Sequence, residues 1–525
     1  MDETDLHVVP VMSCTEAKAF EKDFFARRET MSEETAMAAA GTGVGEAILR
    51  ESVARRIAIS RQLVFAGKGH NGGDAVRAAE RIFEETSCAT VLVFFAENAE
   101  KLAPLTRKFL EQFFVRVPAE KRSVFFLPDC AGEISCDLKN FAAQANVFID
   151  GVFGHSFRPP FPQNIRVRLD EILSARSCDS ICCSVDLPSG LCDAGASDCA
   201  LRADFTFPTG ILKTPVLAHA EFSGRVVPVS IAFSGYNASA TAVADNAYFL
   251  KKIFAARPAV CDKRDFGHVL IVGGSRTMPG ALMLNVLSAL RAGAGLVSVI
   301  CPERVQAAFA ARAPGAMWIP CRENAGGGLD CAAAFAEFEK ILPRVSAVLC
   351  GSGMGVSADA QRLIQKIAAG TPREIPLVLD ADALRPETLR AVRERGASAE
   401  KTVILPHAGE FARLGGKADC VREFCREHGL TLVLKGVCTR VADAQNERLA
   451  FAGTPVLARG GSGDVLAGMV AAMLASRKNF ADEKAPVRER VLAAVIWHGN
   501  AARKLAAAQG ERCADISALP AFFGE

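Results

Sequence analysis

The sequence predicts an α/β protein of two three-layer domains, and three observations carry that reading. At 525 residues the chain is longer than one ordinary hydrophobic core supports. Short β-branched or Phe-rich runs alternate throughout with Ala-rich amphipathic stretches, the pattern of βα units feeding a parallel sheet. Between about residues 233 and 262 that pattern lapses into a stretch without a strand, then a short helix and an Arg-Pro break, which places domains at 1–235 and 250–525.

The first series of strands reads RQLVFA (61–66), VLVFFA (91–96), SVFFL (123–127), NVFID (146–150), ICCSVD (181–186), ADFTF (203–207) and RVVPVS (225–230). The second reads HVLIVGG (268–274), LVSVICP (296–302), VSAVLCG (345–351), PLVLDAD (376–382), TVILP (402–406) and TLVLKG (431–436), with CTRVAD and ERLAFA as an antiparallel pair. No repeat relates the halves.

Composition narrows the partners. The 61 basic residues nearly cancel the 59 acidic ones, so no electrostatic footprint for nucleic acid or an anionic membrane exists. No apolar run reaches the roughly 18 residues that span a bilayer, and the acidic start MDETDLHVVP lacks a signal-like n-region. A cytoplasmic chain acting on small molecules, assembled as a homo-oligomer, is expected. The 18 cysteines are scattered, without a C-x-x-C pair, and read as reduced thiols; the same scatter argues against structural zinc.

Chemistry concentrates where strands end. Gly460-Gly461-Ser462-Gly463-Asp464 precedes the apolar helix pattern VLAGMVAAML, which sets a carboxylate beside a helix N-terminus with open amides. Alone, this is equally an N-cap after a flexible loop. Lys435 with the backbone of Gly436 to Thr439 ends the strand TLVLKG and completes a plausible phosphate cradle, although no G-x-x-x-x-G-K-[ST] is present. His407 and Glu410 share a turn in ILPHAGEF, where a structural histidine is the plainer reading. In the first half, Gly67 to Asp74 (GKGHNGGD) formally contains G-x-G-x-x-G, and Glu97 ends the next strand as a ribose-binding acid would. A hydride-transfer site is one reading of it. Against that, Asp74 puts negative charge where pyrophosphate would sit. Asp150 and Asp186 close two further strands, either as turn formers or as ligand contacts.

Together, GKGHNGGD, DGVFG (150–154), VDLPSG (185–190) and ADFTF with Lys213 resemble the N-terminal epimerase domain of bifunctional NAD(P)H-hydrate repair enzymes. The resemblance implies a Rossmann-like sheet. It implies a potassium ion held by Asn71, Asp150 and Ser189, with Asp150 also a catalytic candidate. Contacts to the hydrated nicotinamide nucleotide are implied for His70, Asn71, Gly72, Gly73, Asp74, Gly154, His155, Ser156, Phe157, Arg158, Pro159, Pro160 and Asp186. His70 stands where the family has Asn, Ala75 where it has Gly, and Ala38 where it has an acid.

The order GGS…GA, GSGMG, DADAL, PHAGE, LKG, GGSGD resembles the ADP- or ATP-dependent NAD(P)H-hydrate dehydratase of the ribokinase-like fold, with Ser352, Met354, Leu405 and Ala408 as departures. That resemblance implies nucleotide contacts from Lys435, Gly436, Val437, Cys438, Thr439 and Gly463, and hydrate contacts from Ala281, Gly353, His407 and Asp464. It implies magnesium with the ADP or ATP, and Asp464 as the base that activates the hydrate hydroxyl for phosphorylation and loss. The competing expectation is a ribokinase-like small-molecule kinase fused to a nucleotide-binding or scaffold-like domain.

Overall fold

A computed structural model describes residues 7–27, 31–127, 134–395, 401–476 and 478–524. The chain divides into two compact units, Asp2–Asp245 and Asn246–Glu525.

The N-terminal unit is built on a seven-stranded, wholly parallel sheet in the order Arg225–Val226, Phe205–Phe207, Ile181–Val185, Val147–Gly151, Arg61–Ala66, Ala89–Phe94, Arg122–Phe126. Its strands are near-continuous apolar runs because both faces are covered, as a parallel sheet requires. Phe65 and Phe148 pack against one face, Phe94 and Phe113 against the other. Strand order reverses between Arg61–Ala66 and Val147–Gly151, and the crevice outside that point is where open α/β sheets take ligands. A separate strand, Val8–Met12, pairs antiparallel with Ala240–Val243 and parallel with Leu212–Lys213.

The C-terminal unit holds nine strands in the order Glu447–Ala450, Thr439–Ala442, Thr431–Leu434, Thr402–Ile404, Leu377–Leu379, Ala347–Cys350, His268–Val272, Leu296–Pro302, Met317–Cys321. The two pairings at the Glu447 edge are antiparallel and the rest parallel. Here the order reverses between His268–Val272 and Ala347–Cys350, so the glycine turns after these strands face the same crevice. The helix Ser462–Ala475 is buried from Val465 through Leu474, which its apolar-all-round sequence demands.

Besides the two-residue strands Leu191–Cys192, Gly195–Ala196 and Leu212–Lys213, three strands escape a reading by pattern: Val8–Met12, Ala240–Val243 and Met317–Cys321. The first carries Pro10, the second is four small residues, and the third is an edge strand whose exposed Met317 and Pro320 break alternation. The RVVPVS run contributes only Arg225–Val226 to the sheet, since Pro228 lacks the amide that would continue the ladder. Buried thiols at Cys182, Cys183, Cys301 and Cys350 are unpaired, as their place in apolar strands implies. Among the described residues no helix is long and apolar enough to cross a membrane.

Candidate active sites

In the N-terminal unit the strand Arg61–Ala66 turns directly into the helix His70–Thr86. A Cβ on Gly67 would lie 1.9 Å from the Val152 carbonyl oxygen, and one on Gly72 would lie 2.2 Å from the Gly67 carbonyl oxygen. The glycines therefore let the helix start sit down on the loop after Gly151. Replacing Gly67 by Ala is expected to destabilise this unit by about 1–3 kcal/mol through overpacking. Hydrogen exchange of residues 61–86 reads that effect, and unchanged protection would show that the loop gives way freely.

The close approach brings Asn71, Asp150 and Ser189 together. Asp150 is fully buried and accepts from Ser184 Oγ at 2.9 Å, Ser189 N at 2.9 Å, Ser189 Oγ at 2.5 Å and Val152 N at 3.2 Å. Burial raises the Asp150 carboxyl above its ordinary range, with these hydrogen bonds pulling the other way. Ser189 Oγ also accepts from the Phe153 amide at 2.9 Å, while Asn71 Nδ2 donates to the Phe153 carbonyl at 3.1 Å. One carboxylate among neutral amide, hydroxyl and carbonyl oxygens is a donor set suited to a hard cation of low charge.

Beside this cluster lies a cavity of about 930 Å³ lined by His70, Asn71, Asp74, Gly154, His155, Ser156, Phe157 and Arg158 among others. Asp150, Ser189, Gly72, Gly73, Pro159 and the cis-linked Pro160 are not part of its wall. Phe157 is mostly core, packed on Phe153 and Phe161 at ring distances of 5.1 and 5.8 Å. Asp186, at φ 69°, turns into the cavity and forms a buried ion pair with Lys213. Burial would raise the Asp186 carboxyl, but the Lys213 ammonium and His155 outweigh it and hold the group well below the usual carboxylate range. Lys213 and Glu21 are lining residues to which no role was expected from sequence. Lys213 stands in the ADFTF…K run without an assigned role; Glu21 sits in the helix Cys14–Ala26, which carries no motif.

In the C-terminal unit, Gly351 follows the strand Ala347–Cys350 at φ 125°, and a Cβ there would stand 2.1 Å from the Asp380 carbonyl oxygen. Gly353 comes next to Ala281, whose Cβ would be 3.3 Å from a Cβ on Gly353. Thus GSGMG and the start of helix Pro279–Arg291 meet at the switch point.

Lys435 reaches the same place. Its backbone amide donates to Pro406 O at 2.9 Å and its Nζ lies 2.9 Å from Asp380 Oδ1. A Cβ on Gly463 would be 3.2 Å from that Nζ, so the lysine hangs over the start of helix Ser462–Ala475. Burial pushes the Asp380 carboxyl up to about 6 even beside Lys435. Asp464, in the first turn of the helix, is also raised by burial, offset in part by the neighbouring Ser352 hydroxyl and the Lys435 charge. Asn285 Nδ2 donates to the Asp464 backbone carbonyl at 2.7 Å and pins that turn. Val437, 77% exposed, and Cys438 continue the loop beyond Gly436 to Thr439, where the next strand starts.

His407 is a helix cap as well as a site candidate. Its Nδ1 accepts from Gly409 N at 3.0 Å and Glu410 N at 3.3 Å, which leaves Nε2 as the ring nitrogen able to donate. A backbone bridge joins His407 to Lys435, so the PHAGE and LKG loops lie side by side. Three partners here were not assigned from sequence: Asp380, Asn285 and His498. His498 is buried, lies by the Ser462 backbone, and is pushed down to about 4 by burial, so it stays neutral beneath the helix start. Asp380 had a signal in the two acids ending PLVLDAD; Asn285 and His498 sit in helix interiors with none.

Each unit is thus an open α/β sheet with a charged site at its switch point, the arrangement of a nucleotide-binding enzyme. The family model described as NAD(P)H-hydrate dehydratase matches residues 269–519, and that described as YjeF-related protein N-terminus matches residues 33–215. The bifunctional NAD(P)H-hydrate repair enzyme Nnr of Hyperthermus butylicus is 32% identical, over 80% of this chain and 76% of its own. The enzyme of the same name from Pyrobaculum aerophilum is 31% identical, over 83% of both chains. A ribokinase-like superfamily protein from Enterococcus faecalis V583 overlaps 55% of this chain and 98% of its own, at 24% identity and a TM-score of 0.45. The chain belongs to the family of bifunctional NAD(P)H-hydrate repair enzymes.

Proposed function

We propose that the N-terminal domain interconverts the R and S hydrates of NADH and NADPH, and that the C-terminal domain dehydrates the S form at the expense of ADP or ATP. The observation that carries the second activity is the meeting of Asp464, Lys435 and Gly463 at one helix start. Hydroxide leaves a hydrated nicotinamide ring poorly. Once phosphorylated, the hydroxyl leaves as phosphate, expelled by the electron pair of the ring nitrogen. Asp464 takes the hydroxyl proton during transfer, while the helix amides and Lys435 stabilise charge on the transferred group. Lys435, Gly436, Val437, Cys438, Thr439 and Gly463 hold the nucleotide, whose phosphates carry magnesium; Ala281, Gly353 and His407 meet the hydrate. His407 is suited to donate from Nε2 because its Nδ1 is committed to the cap.

In the N-terminal domain Asn71, Asp150 and Ser189 would hold potassium, which supplies fixed positive charge beside an anionic nucleotide. His70, Asn71, Asp74, the loop Gly154 to Arg158 and Asp186, which line the cavity, contact the hydrate, while Gly72, Gly73, Pro159 and Pro160 shape these loops from behind. The ion pair of Asp186 supports this role, since a buried carboxylate held ionised is a strong acceptor for ligand hydroxyls.

Pure protein incubated with S-NADHX and ADP, and separately with ATP, is expected to restore absorbance in the reduced-nicotinamide band. Accumulation of a phosphorylated compound without recovery would favour a small-molecule kinase, and no reaction with either nucleotide would refute the dehydratase. With a mixed hydrate pool, Asp150→Ala is expected to leave only the S half rapidly repaired.

A further inference from the structure

Five titratable side chains from five segments meet in the N-terminal cavity: Asp74, Asp186, Lys213, Glu21 and His155. His155 stands between two of the acids, its Nδ1 3.6 Å from Asp186 and its Nε2 3.6 Å from Glu21. Lys213, 1% exposed, is ion-paired to Asp186. Asp74 has no such partner, and its Oδ1 is buried without a hydrogen bond. A buried carboxyl oxygen left unsatisfied at a cavity wall is costly, and it persists where a ligand or a proton completes it. Lys18, Lys22, Lys68, Glu33, His70 and Arg158 complete the charged wall.

We infer that Asp74 and Asp186 are the acid and base that carry the ring hydroxyl from one face of the hydrate to the other. The assignment rests on the epimerase reading of this domain and names the chemistry of its site. Asp74 gives its proton to the hydroxyl, whose bond to the ring carbon breaks with the electron pair leaving on oxygen as water. The lone pair of the adjacent ring nitrogen forms the nitrogen–carbon double bond in its place. A water then bonds to that carbon from the opposite face, the double-bond pair returns to nitrogen, and Asp186 takes the water's extra proton. One water leaves and one enters; the proton moved from Asp74 to Asp186 returns through His155, Glu21 or solvent. The reverse epimerisation runs the same steps backward.

The two acids are set apart as such a pair requires. Burial, with the charges of Asp186 and Glu21 added, keeps Asp74 well above the ordinary carboxylate range, so it holds a proton. Asp186 is held ionised against its burial by Lys213 and His155. Cys14, on the Lys213 side, is pushed up to about 12 by burial and the charges of Asp193 and Asp186, and stays a neutral thiol. Asp150 lies outside the cavity wall with both carboxylate oxygens engaged, which leaves proton transfer to the cavity acids.

The test uses the full chain, purified R-NADHX and water enriched in oxygen-18, with the two epimers separated by chromatography. Wild type is expected to place label in the hydroxyl of the S product. Asp74→Asn, nearly isosteric, is expected to slow interconversion by about 10²–10⁴-fold. The wild-type rate should fall at low pH as Asp186 protonates and at high pH as Asp74 ionises, and Asp74→Asn should lose the high-pH limb, which a merely structural role would not remove. Interconversion with the original oxygen retained, or an Asp74→Asn enzyme of undiminished rate, overturns the assignment. If the variant does not fold, oxygen retention by wild type, or a wild-type rate lacking the two pH limbs, still overturns it. A wild-type chain that interconverts nothing refutes the epimerase reading itself.

Discussion

Asp464→Asn is expected to lower nucleotide-dependent repair of the S hydrate by about 10²–10⁴-fold, the range lost when a positioned general base is removed. That range corresponds to about 2.7–5.4 kcal/mol of transition-state stabilisation. Asparagine fills the same space and keeps the backbone carbonyl that Asn285 pins, so the helix start survives. The lost charge was itself disfavoured by burial, so the variant should be no less stable than wild type. On the proposed reading, nucleotide affinity would rest on Lys435, the helix amides and the backbone from Gly436 to Thr439, and should change less than tenfold. The sign of the pH dependence follows from the same burial. The Asp464 carboxyl sits above its ordinary value, so the wild-type rate rises as pH climbs through that raised value and the carboxylate forms. Asp380, pushed up to about 6, gains its own charge as pH rises past that value, and that charge holds Lys435 in place. Steady-state rates with S-NADHX and ADP between pH 5 and 8, set beside nucleotide binding by calorimetry, check all of this. A variant that keeps a third or more of wild-type activity, or one that loses nucleotide binding in proportion to rate, would remove Asp464 from the role of base.

The parts of both sites that sequence makes legible share a physical cause. GKGHNGGD and GSGMG each end a strand at the switch point of a parallel sheet, VDLPSG ends the strand beyond the neighbouring Val147–Gly151, and GGSGD opens a helix; in each a short loop must expose backbone and small residues to leave room for a ligand. That constraint is local, so it is written in consecutive residues. The counter-charges are not local. Lys213 answers Asp186 from another strand, Asp380 answers Lys435 from 55 positions away, and Glu21 enters from a helix with no pattern of its own. Only the fold assigns such partners. The same distinction separates the strands that pattern reveals from those it hides. Long apolar runs buried on both faces declare themselves, whereas Val8–Met12 and Ala240–Val243 are strands because they find each other across some 230 residues.

Lys213→Met isolates one partner of the buried ion pair between Lys213 and Asp186. Breaking a buried pair by removing one partner costs about 3–5 kcal/mol, because an uncompensated charge stays behind. In wild type the Asp186 carboxyl is held below its unfolded value of about 3.9. It therefore contributes stability that is present above pH 4 and lost only as pH falls through the folded value. Without the ammonium, burial dominates and the folded value moves above the unfolded one, which reverses the sign: stability is then fullest at low pH and is lost as pH rises through the folded value. Methionine packs the volume of the lysine stem, so the change reports on charge more than on a cavity. Because the chain has two units, hydrogen exchange of peptides from residues 181–213 is the measurement that isolates this one. Protection there should fall in Lys213→Met at pH 7 and partly recover towards pH 5, while wild type shows no such recovery. Adding Asp186→Asn to Lys213→Met should restore part of the loss, since it removes the stranded charge. If the double variant is as unstable as the sum of the two single ones, the pair is not coupled and Lys213 is held in place by packing alone.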